Sequence, residues 1–533
     1  MAICYENARL FTGDQQTADC FVVQDGVFAF VGSKQDAHAA FPEAEIVDLG
    51  GQFVCSGFND SHMHLLELGC VLTQAQLNLC TNSLSAALSG LAAFAQANPE
   101  ESWVLGRGWN HDFFEDESRY PNRYDLDRIC PEKPCLITRA CGHVAVANSC
   151  ALALAGIDSS APTVSGGCVQ IDEHGKPTGV LEENAILLVA SLIPAPDREG
   201  IKRRLLLAMK TVASYGITSV QTDDFCVFET PFEEVIAAYL ELKDEGRLTV
   251  RVTEQCQLPT IEALERFLSL GYRTGWGDSL FRLGPLKLLT DGSLGARTAY
   301  LNAPYDDAPD TCGIATYEQS DLDAIVARAH QAGMQIAAHA IGDAAADSVL
   351  NAIENAQLAC PREDARHGIV HAQILTQAQV ARMHALGMHA YIQSIFLDYD
   401  TQIVFPRLGQ RALDAYPANS LLQVGVSFSG GSDCPVEPCD VLKGIQCAVT
   451  RKSVSRPGNA PYLPQEALTL HDALLSFTHA GAYASFEENS KGLIRKGHLA
   501  DFTVLGTDPF EIDPMFIHKI PVRQTFIGGK QIL

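Results

Sequence analysis

Positive charge is scarce in this 533-residue chain, where 38 Lys and Arg stand against 64 Asp and Glu for a formal net charge of −26. That balance repels the phosphates of nucleic acids and the surface of anionic lipids, so neither is an expected partner. Long uncharged apolar runs are also missing, which excludes a membrane-spanning helix. The opening residues, Met1-Ala2-Ile3-Cys4-Tyr5-Glu6-Asn7-Ala8, lack the basic and apolar regions of an export signal, so a cytoplasmic location is expected. The 17 cysteines are scattered through apolar segments such as Phe53-Val54-Cys55-Ser56, without a CxxC framework. A cysteine-only zinc site is therefore not expected, and most thiols should be reduced, buried small hydrophobes. Cys434 and Cys439 are five apart with prolines and an acid between them, a spacing read as coincidence. Internal repeats and low-complexity segments are absent too.

What the chain does contain is an ordinary globular balance, 47% hydrophobic and 19% charged residues, over a length that calls for one large domain with appended or inserted modules. Both ends are β-rich. Ala8-Arg9-Leu10-Phe11, Cys20-Phe21-Val22-Val23 and Val27 to Gly32 read as short strands, the last two joined by the turn Asp25-Gly26. Ala500 to Leu505, Arg523 to Ile527 and Lys530 to Leu533 have the same texture. The two ends are expected to assemble one β-sandwich from residues 1–52 and 490–533.

Between them, apolar strand-like runs alternate with helix-period segments, the pattern of a parallel sheet with crossover helices. Candidate strands are Phe53 to Asp60, Thr218 to Asp224, Leu248 to Cys256, Phe281 to Asp291, Gln335 to Asp343, His367 to Gln373, Met388 to Ser394 and Val426 to Asp433. Helices are expected at Ile201 to Tyr215, Asp321 to Gly333, Asp343 to Gln357 and Thr376 to Leu386, each with apolar residues at three- and four-residue spacings. Eight such units make an α/β fold of the (β/α)8 TIM-barrel kind, over residues 53–75 and 200–489. More than 150 residues separate the first candidate strand from the second, far beyond an ordinary βα connection. An inserted mixed α/β domain at 76–199 is expected there, with Trp103 to Trp109, the proline-flanked stretch Tyr120 to Pro134, and turns at Gly166-Gly167 and Gly175-Lys176-Pro177.

The first candidate strand runs into Asn59-Asp60-Ser61-His62-Met63-His64, and period-two alternation puts His62 and His64 on one face, where two imidazoles can grip one divalent cation. Barrel enzymes build their sites at this C-terminal end of the strands. His339 in Ala337-Ala338-His339-Ala340-Ile341-Gly342-Asp343 and His371 in Gly368-Ile369-Val370-His371 end two further strands. Repeated imidazoles at strand ends are difficult to explain by packing, since apolar side chains fill a barrel without needing polar partners. Asp433, after Gly430-Gly431-Ser432, sits at the mouth of the eighth strand, where a carboxylate can bind metal and accept a proton; a helix cap or turn is the competing use. Lys287 lies inside the apolar run Gly284 to Leu289, where an unpaired ammonium is costly. Two remedies are open: an ion pair with Asp291 or another carboxylate, or conversion by CO2 to a carbamate that bridges two cations. The carbamate is preferred because four histidines and an aspartate supply the rest of a two-metal site.

Together these positions resemble the binuclear pattern of the amidohydrolase superfamily. Lys287 to Ala299 (KLLTDGSLGARTA), His339 to Ala344 (HAIGDA), Gly431 to Val436 (GSDCPV) and Gly497 to Val504 (GHLADFTV) are similar to its amidohydrolase-3, YtcJ-like branch, the type that includes N-substituted formamide deformylase. The insert carries matching short segments at Gly142-His143, Asn148-Ser149, Ala151-Leu152 and Gly179 to Glu182, and the β-sandwich split between the ends is likewise a feature of that family. Asn59 departs from the apolar residue usual before Asp-Ser-His. The resemblance implies that His62, His64 and Asp433 bind the more buried metal, His339 and His371 the more exposed one, and that Lys287 bridges them as a carbamate. Asp433 is the implied general base. Asp291 and Arg297 are the candidate substrate contacts in the motif, with His143 from the insert as a third, unless it is a solvated or structural histidine.

The expected enzyme is thus an amidohydrolase that cleaves a C–N bond of an amide, formamide or related small molecule with metal-activated hydroxide. Zinc is the default cation, two per chain, although iron, manganese or nickel suit the same ligands. Rival readings are a single-metal deaminase with unmodified Lys287, an ester or phosphoester hydrolase on the same scaffold, and a non-catalytic regulatory homologue. A homodimer is left open as the assembly.

Overall fold

The computed structural model describes residues 2–14, 18–79, 82–140, 143–157, 162–164 and 166–533. Gly142, one of the residues carrying the resemblance, lies outside them. The chain divides into two compact units, Met1–Leu66 with Ala208–Leu533, and Glu67–Leu207.

The larger unit is organised by an eight-stranded parallel sheet: β1 Phe58–Met63, β2 Ile217–Thr222, β3 Arg251–Gln257, β4 Phe281–Leu289, β5 Ile336–Ala340, β6 Gly368–His371, β7 His389–Ile392 and β8 Ser427–Gly430, in that spatial order. Both faces of a parallel barrel strand are covered, and β2, β6 and β7 are buried at every position. Helices separate the strands, among them Phe232–Asp244, Ile261–Ser269, Gln319–Gln331, Asp343–Ala359 and Gln377–Ala385. The last begins with a reciprocal capping box, in which the Thr376 side chain accepts from the Gln379 N–H while the Gln379 side chain accepts from the Thr376 N–H. The sheet closes where Ser61 Oγ donates to the Gly430 carbonyl at 2.8 Å and the Asp433 N–H donates to the His62 carbonyl at 2.8 Å. The result is a (β/α)8 barrel, with its strand C-termini gathered at one mouth.

The first expected strand, Phe53 to Asp60, is two strands. Phe53–Ser56 pairs with Arg9–Phe11 and with Phe502–Leu505 in a five-stranded sheet, and the barrel begins at Phe58. The switch falls at Gly57, where a Cβ would stand 2.3 Å from the Thr218 side chain. One apolar run cannot announce by periodicity that it changes partners halfway. A four-stranded sheet of Val27–Gly32, Cys20–Gln24, Ile3–Glu6 and Glu45–Asp48 completes the β modules. Tyr5, Phe21, Phe28, Phe502 and Phe526 share one core, so both chain ends contribute to it.

Glu67–Leu207 carries a six-stranded sheet, from Gly167–Ile171 at one edge through Pro177–Glu183, Val144–Ala147, Cys135–Arg139 and Val104–Trp109 to Ala75–Gln76, with the helix Leu84–Ala97 packed on it. Among the described residues no helix is long and apolar enough to cross a membrane.

Candidate active site at the barrel mouth

The structure brings His62, His64, Lys287, His339, His371 and Asp433 to the C-terminal ends of five barrel strands. His62 is the fifth residue of β1 and is buried, and His64 follows just beyond the strand, partly exposed. Ring centroids lie 5.2 Å apart for His62 and His64, 5.6 Å for His62 and His371, and 4.5 Å for His339 and His371, so the four imidazoles form one contiguous group. Asp433 Oδ1 is 2.9 Å from His64 Nε2 and 3.2 Å from His62 Nε2. Ligand atoms of His62, His64 and Asp433 all lie within 4.8 Å of one another.

The backbone at the ends of β6 and β8 takes an uncommon path to achieve this. His371 and Asp433 have φ of +75° and +60°, the left-handed region that costs a residue with a Cβ about 1–2 kcal/mol. Packing compels the turn after β8, because a Cβ on Gly431 would stand 2.8 and 2.9 Å from the His62 nitrogen and carbonyl oxygen. Asp60 braces the same turn from below, accepting from the Ser432 N–H at 2.9 Å and from the Ser432 hydroxyl at 2.5 Å, and burial pushes its carboxyl up to about 7.

Two amides orient the rings. Gln255 Oε1 on β3 lies 3.0 Å from His62 Nδ1, and Gln393 Oε1 beyond β7 lies 2.7 Å from His371 Nδ1. An amide oxygen can only accept, so each Nδ1 is the N–H and each Nε2 is left with its lone pair facing the centre. Burial lowers the pKa of both rings, with the Lys287 charge adding for His62 and His339 for His371, which favours the neutral, ligating form. His339 Nδ1 is 2.8 Å from Asp291 Oδ1, yet out of line for a hydrogen bond, and is a buried nitrogen without a hydrogen-bond partner.

Lys287 is fully buried, and its compensating carboxylate is Asp223, with Nζ 2.8 Å from Oδ2 and 3.3 Å from His62 Nε2. Of the counterions considered from sequence, Asp291 or another carboxylate, the structure has the second kind, in Asp223. Asp223 follows directly on β2 and its Oδ1 also lies against His64 Nδ1. Burial would raise this carboxyl, but Lys287 and His64 hold it well below the usual range. Burial would likewise lower His64, and Asp223 and Asp433 overcome it to hold the ring well above its ordinary pKa. For Asp433 the same contest ends well below the carboxylate range, through its bonds to His62 and His64.

Sequence reasoning missed Asp223, Gln255 and Gln393. Asp223 left a signal: Asp223-Asp224 ends an apolar strand as His339 and His371 end theirs. The two glutamines left none, since an amide within a strand has no distinctive spacing. Of the expected substrate contacts, Asp291 gives both oxygens to backbone, accepting from Ile341 at 3.1 Å on Oδ1 and from Tyr300 and Gly342 at 3.0 and 2.8 Å on Oδ2. Arg297 gives its guanidinium to Asp307 in a two-pronged pair at 3.0 and 2.8 Å. His143 lies in the smaller unit, exposed, with Nδ1 2.9 Å from Glu183 Oε2. Beside His371, a narrow crevice with a volume of only about 10 Å³ is lined by Gln393, Ser394, Tyr416 and the buried Arg451.

The model of the amidohydrolase family matches residues 45–533. The putative amidohydrolase YtcJ of Bacillus subtilis (strain 168) is 34% identical over 516 residues, covering 95% of this chain and 94% of that protein. The N-substituted formamide deformylase of Arthrobacter pascens is 28% identical over 554 residues, covering 99% and 97%. An uncharacterized metal-dependent hydrolase from Pyrococcus furiosus superposes with a TM-score of 0.80 at 28% identity, covering 96% of this chain and all of that one. Matched by the family model over residues 45–533 and built on an eight-stranded parallel barrel, this chain belongs to the amidohydrolase family.

Proposed function

We propose that this amidohydrolase-family hydrolase cleaves a C–N bond of an amide, formamide or related group at a centre where His62, His64 and Asp433 hold one divalent cation and His339 and His371 a second. Lys287, carboxylated on Nζ, is the ligand shared between them. The observation that carries the proposal is the convergence of the His62, His64 and Asp433 ligand atoms within 4.8 Å. The donor chemistry fits as well: imidazole and carboxylate are the ligands of catalytic zinc sites, and the unsatisfied His339 Nδ1 is a buried nitrogen in want of a partner. The similarity to a formamide deformylase supports testing formamides as candidate substrates.

Bound divalent cations supply Lewis acidity toward the carbonyl and bring the pKa of water toward neutrality. The chain supplies the proton management. Asp433, held as a carboxylate, takes the proton of the attacking water and returns it to the departing amine, since one positioned carboxylate can serve both steps. Gln255 and Gln393 keep the imidazoles in the tautomer that presents Nε2. Carboxylation would replace the Lys287 ammonium with an anion and so remove the ion pair with Asp223.

Metal analysis of the purified full chain tests the reading together with turnover of N-formyl and N-acyl amines. Two equivalents of divalent metal, a carbamate carbon resonance in the native protein after exchange with 13C-bicarbonate that is lost in Lys287→Ala, and activity lost on chelation and regained with zinc or manganese are expected. Turnover that persists both after complete chelation and in Asp433→Asn overturns it. The Lys287–Asp223 ion pair favours a second reading, in which the lysine stays unmodified and one cation at His62, His64 and Asp433 serves a ring deaminase. One metal per chain with no carbamate carbon resonance in the native protein selects it.

A further inference from the structure

A second cluster of metal-ligating side chains lies in the four-stranded sheet. Ile3–Glu6 pairs antiparallel with Cys20–Gln24, Cys4 opposite Val22 and Tyr5 opposite Phe21. Alternation sends Tyr5 and Phe21 to the face that packs on Phe502. Cys4, Glu6, Cys20 and Val22 take the other face, beneath the helix Lys34–Ala40, whose Ala37 joins Cys4, Cys20 and Val22 in one apolar cluster. At the edge of that cluster Glu6 Oε2 lies 2.8 Å from His38 Nε2, and Glu6 Oε1 lies 2.5 Å from Lys34 Nζ. The ligand atoms of Cys4, Glu6 and His38 all fall within 4.8 Å of one another, and Cys20 Sγ is 3.4 Å from Cys4 Sγ.

A disulfide is the ordinary use of two adjacent cysteines, and the register argues against it. Extending the pairing by one residue sets Cys20 opposite Glu6, so the cysteines are diagonal neighbours. Diagonal positions stand about 7–8 Å apart, beyond the roughly 4.4–6.8 Å Cα spacing of disulfides. Two thiolates on one tetrahedral zinc, each about 2.3 Å from it, stand roughly 3.8 Å apart, close to the observed 3.4 Å. We propose that Cys4, Cys20, Glu6 and His38 form a zinc site that is structural and separate from the barrel mouth. Charge agrees with this assignment: two thiolates and Glu6 bring three negative charges, which Zn2+ and the neighbouring Lys34 ammonium cancel. Burial raises the Cys20 thiol above its usual range, so the metal-free thiol keeps its proton. Loading forms two Zn–S bonds and releases two thiol protons to solvent. His38, the most exposed of the four, marks the route of entry.

Cobalt titration of the chelator-treated full chain under reducing conditions tests this, because a thiolate-to-cobalt charge-transfer band reports sulfur ligation, which the four-histidine centre does not offer. The expected result is one equivalent of band-forming cobalt. The band should be abolished in Cys4→Ser and Cys20→Ser, and cobalt affinity should fall at least tenfold in His38→Ala, whose helix surface position spares the fold. Turnover in His38→Ala should stay within twofold of the parent chain. No band in the parent chain, or a band of full affinity in His38→Ala, overturns the proposal. So does a Cys4–Cys20 disulfide in peptides from freshly purified protein.

Discussion

Replacing Asp291 separates two uses of one carboxylate. As a substrate contact it should be dispensable for the fold, whereas the structure has it receive three backbone N–H groups, from Tyr300, Ile341 and Gly342. Hydrogen bonds to a charged acceptor contribute about 1.5–3 kcal/mol each, and a buried donor left unmet costs about 1–3 kcal/mol. In Asp291→Asn the best orientation keeps the oxygen on Tyr300 and Gly342 and turns the amide group toward the Ile341 N–H. One bond is lost and one buried donor is stranded, a local cost of about 2–4 kcal/mol. Asp291→Ala strands all three donors and should cost about 4 kcal/mol or more. The segments cannot close up to compensate, since a Cβ on Gly342 would already stand 1.9 Å from the Tyr300 carbonyl oxygen. Hydrogen exchange reads this directly. At about 1.4 kcal/mol per tenfold, the amide of Ile341 should exchange some 30- to 1,000-fold faster in Asp291→Asn, and those of Tyr300 and Gly342 should join it in Asp291→Ala. Unchanged exchange at all three, with only KM raised, would refute the bracing role and restore Asp291 as a substrate contact.

Further outcomes follow from other parts of the structure. Gly431→Ala should lower kcat/KM by about 100-fold while far-ultraviolet circular dichroism stays unchanged, because its Cβ would displace His62, and a misplacement near 1 Å costs that much. The buried pair of Arg251 with Asp501, bonded at 2.6 and 2.9 Å, joins the start of β3 to the strand Phe502–Leu505; Asp501→Ala should destabilise by about 3–5 kcal/mol, seen as a lowered urea midpoint. His389, held between the Ser427 and Ser429 hydroxyls, is pushed by burial down to about 3. The unfolded chain therefore binds a proton at His389 between about pH 6.5 and 3 that the folded chain does not, so this contribution is complete above pH 6.5 and is lost as pH falls through that window. His389→Gln should flatten the acid limb of the stability profile by up to about 5 kcal/mol relative to the parent.

Those features that depend on local periodicity were legible in the sequence. Strand and helix alternation over 217–430 marked most of the barrel, and the helices near 321, 343 and 376 begin within two residues of their expected starts. His62, His64, His339, His371 and Asp433 could be picked out because a polar residue ending an apolar strand is costly unless it has work to do. The unread features depend on what lies across the sheet. Phe53–Ser56 and Phe58–Met63 differ in partner, not in composition, and only the approach of Thr218 to Gly57 fixes the break. Lys287 signalled that it needed a counterion, but which one depended on β2 lying beside β3, itself beside β4. Asp291 sits in the same motif as Lys287, yet three backbone donors from distant residues decide its use.

The closure between β1 and β8 also sets a schedule. His64 and Asp433 are 369 residues apart, and at about 5–20 residues per second a ribosome takes roughly 20–70 s to travel between them. Through that interval the nascent His62 and His64 have no Asp433, and Phe53–Ser56 waits with an open edge for Phe502–Leu505. On the proposed ligand set, the amino-terminal half emerges with His62 and His64 but without Asp433, so a chain released early would offer a metal only part of the grip. Under the proposed metal centre, correct loading would be a late checkpoint of synthesis, reached only after the last barrel strand has left the ribosome.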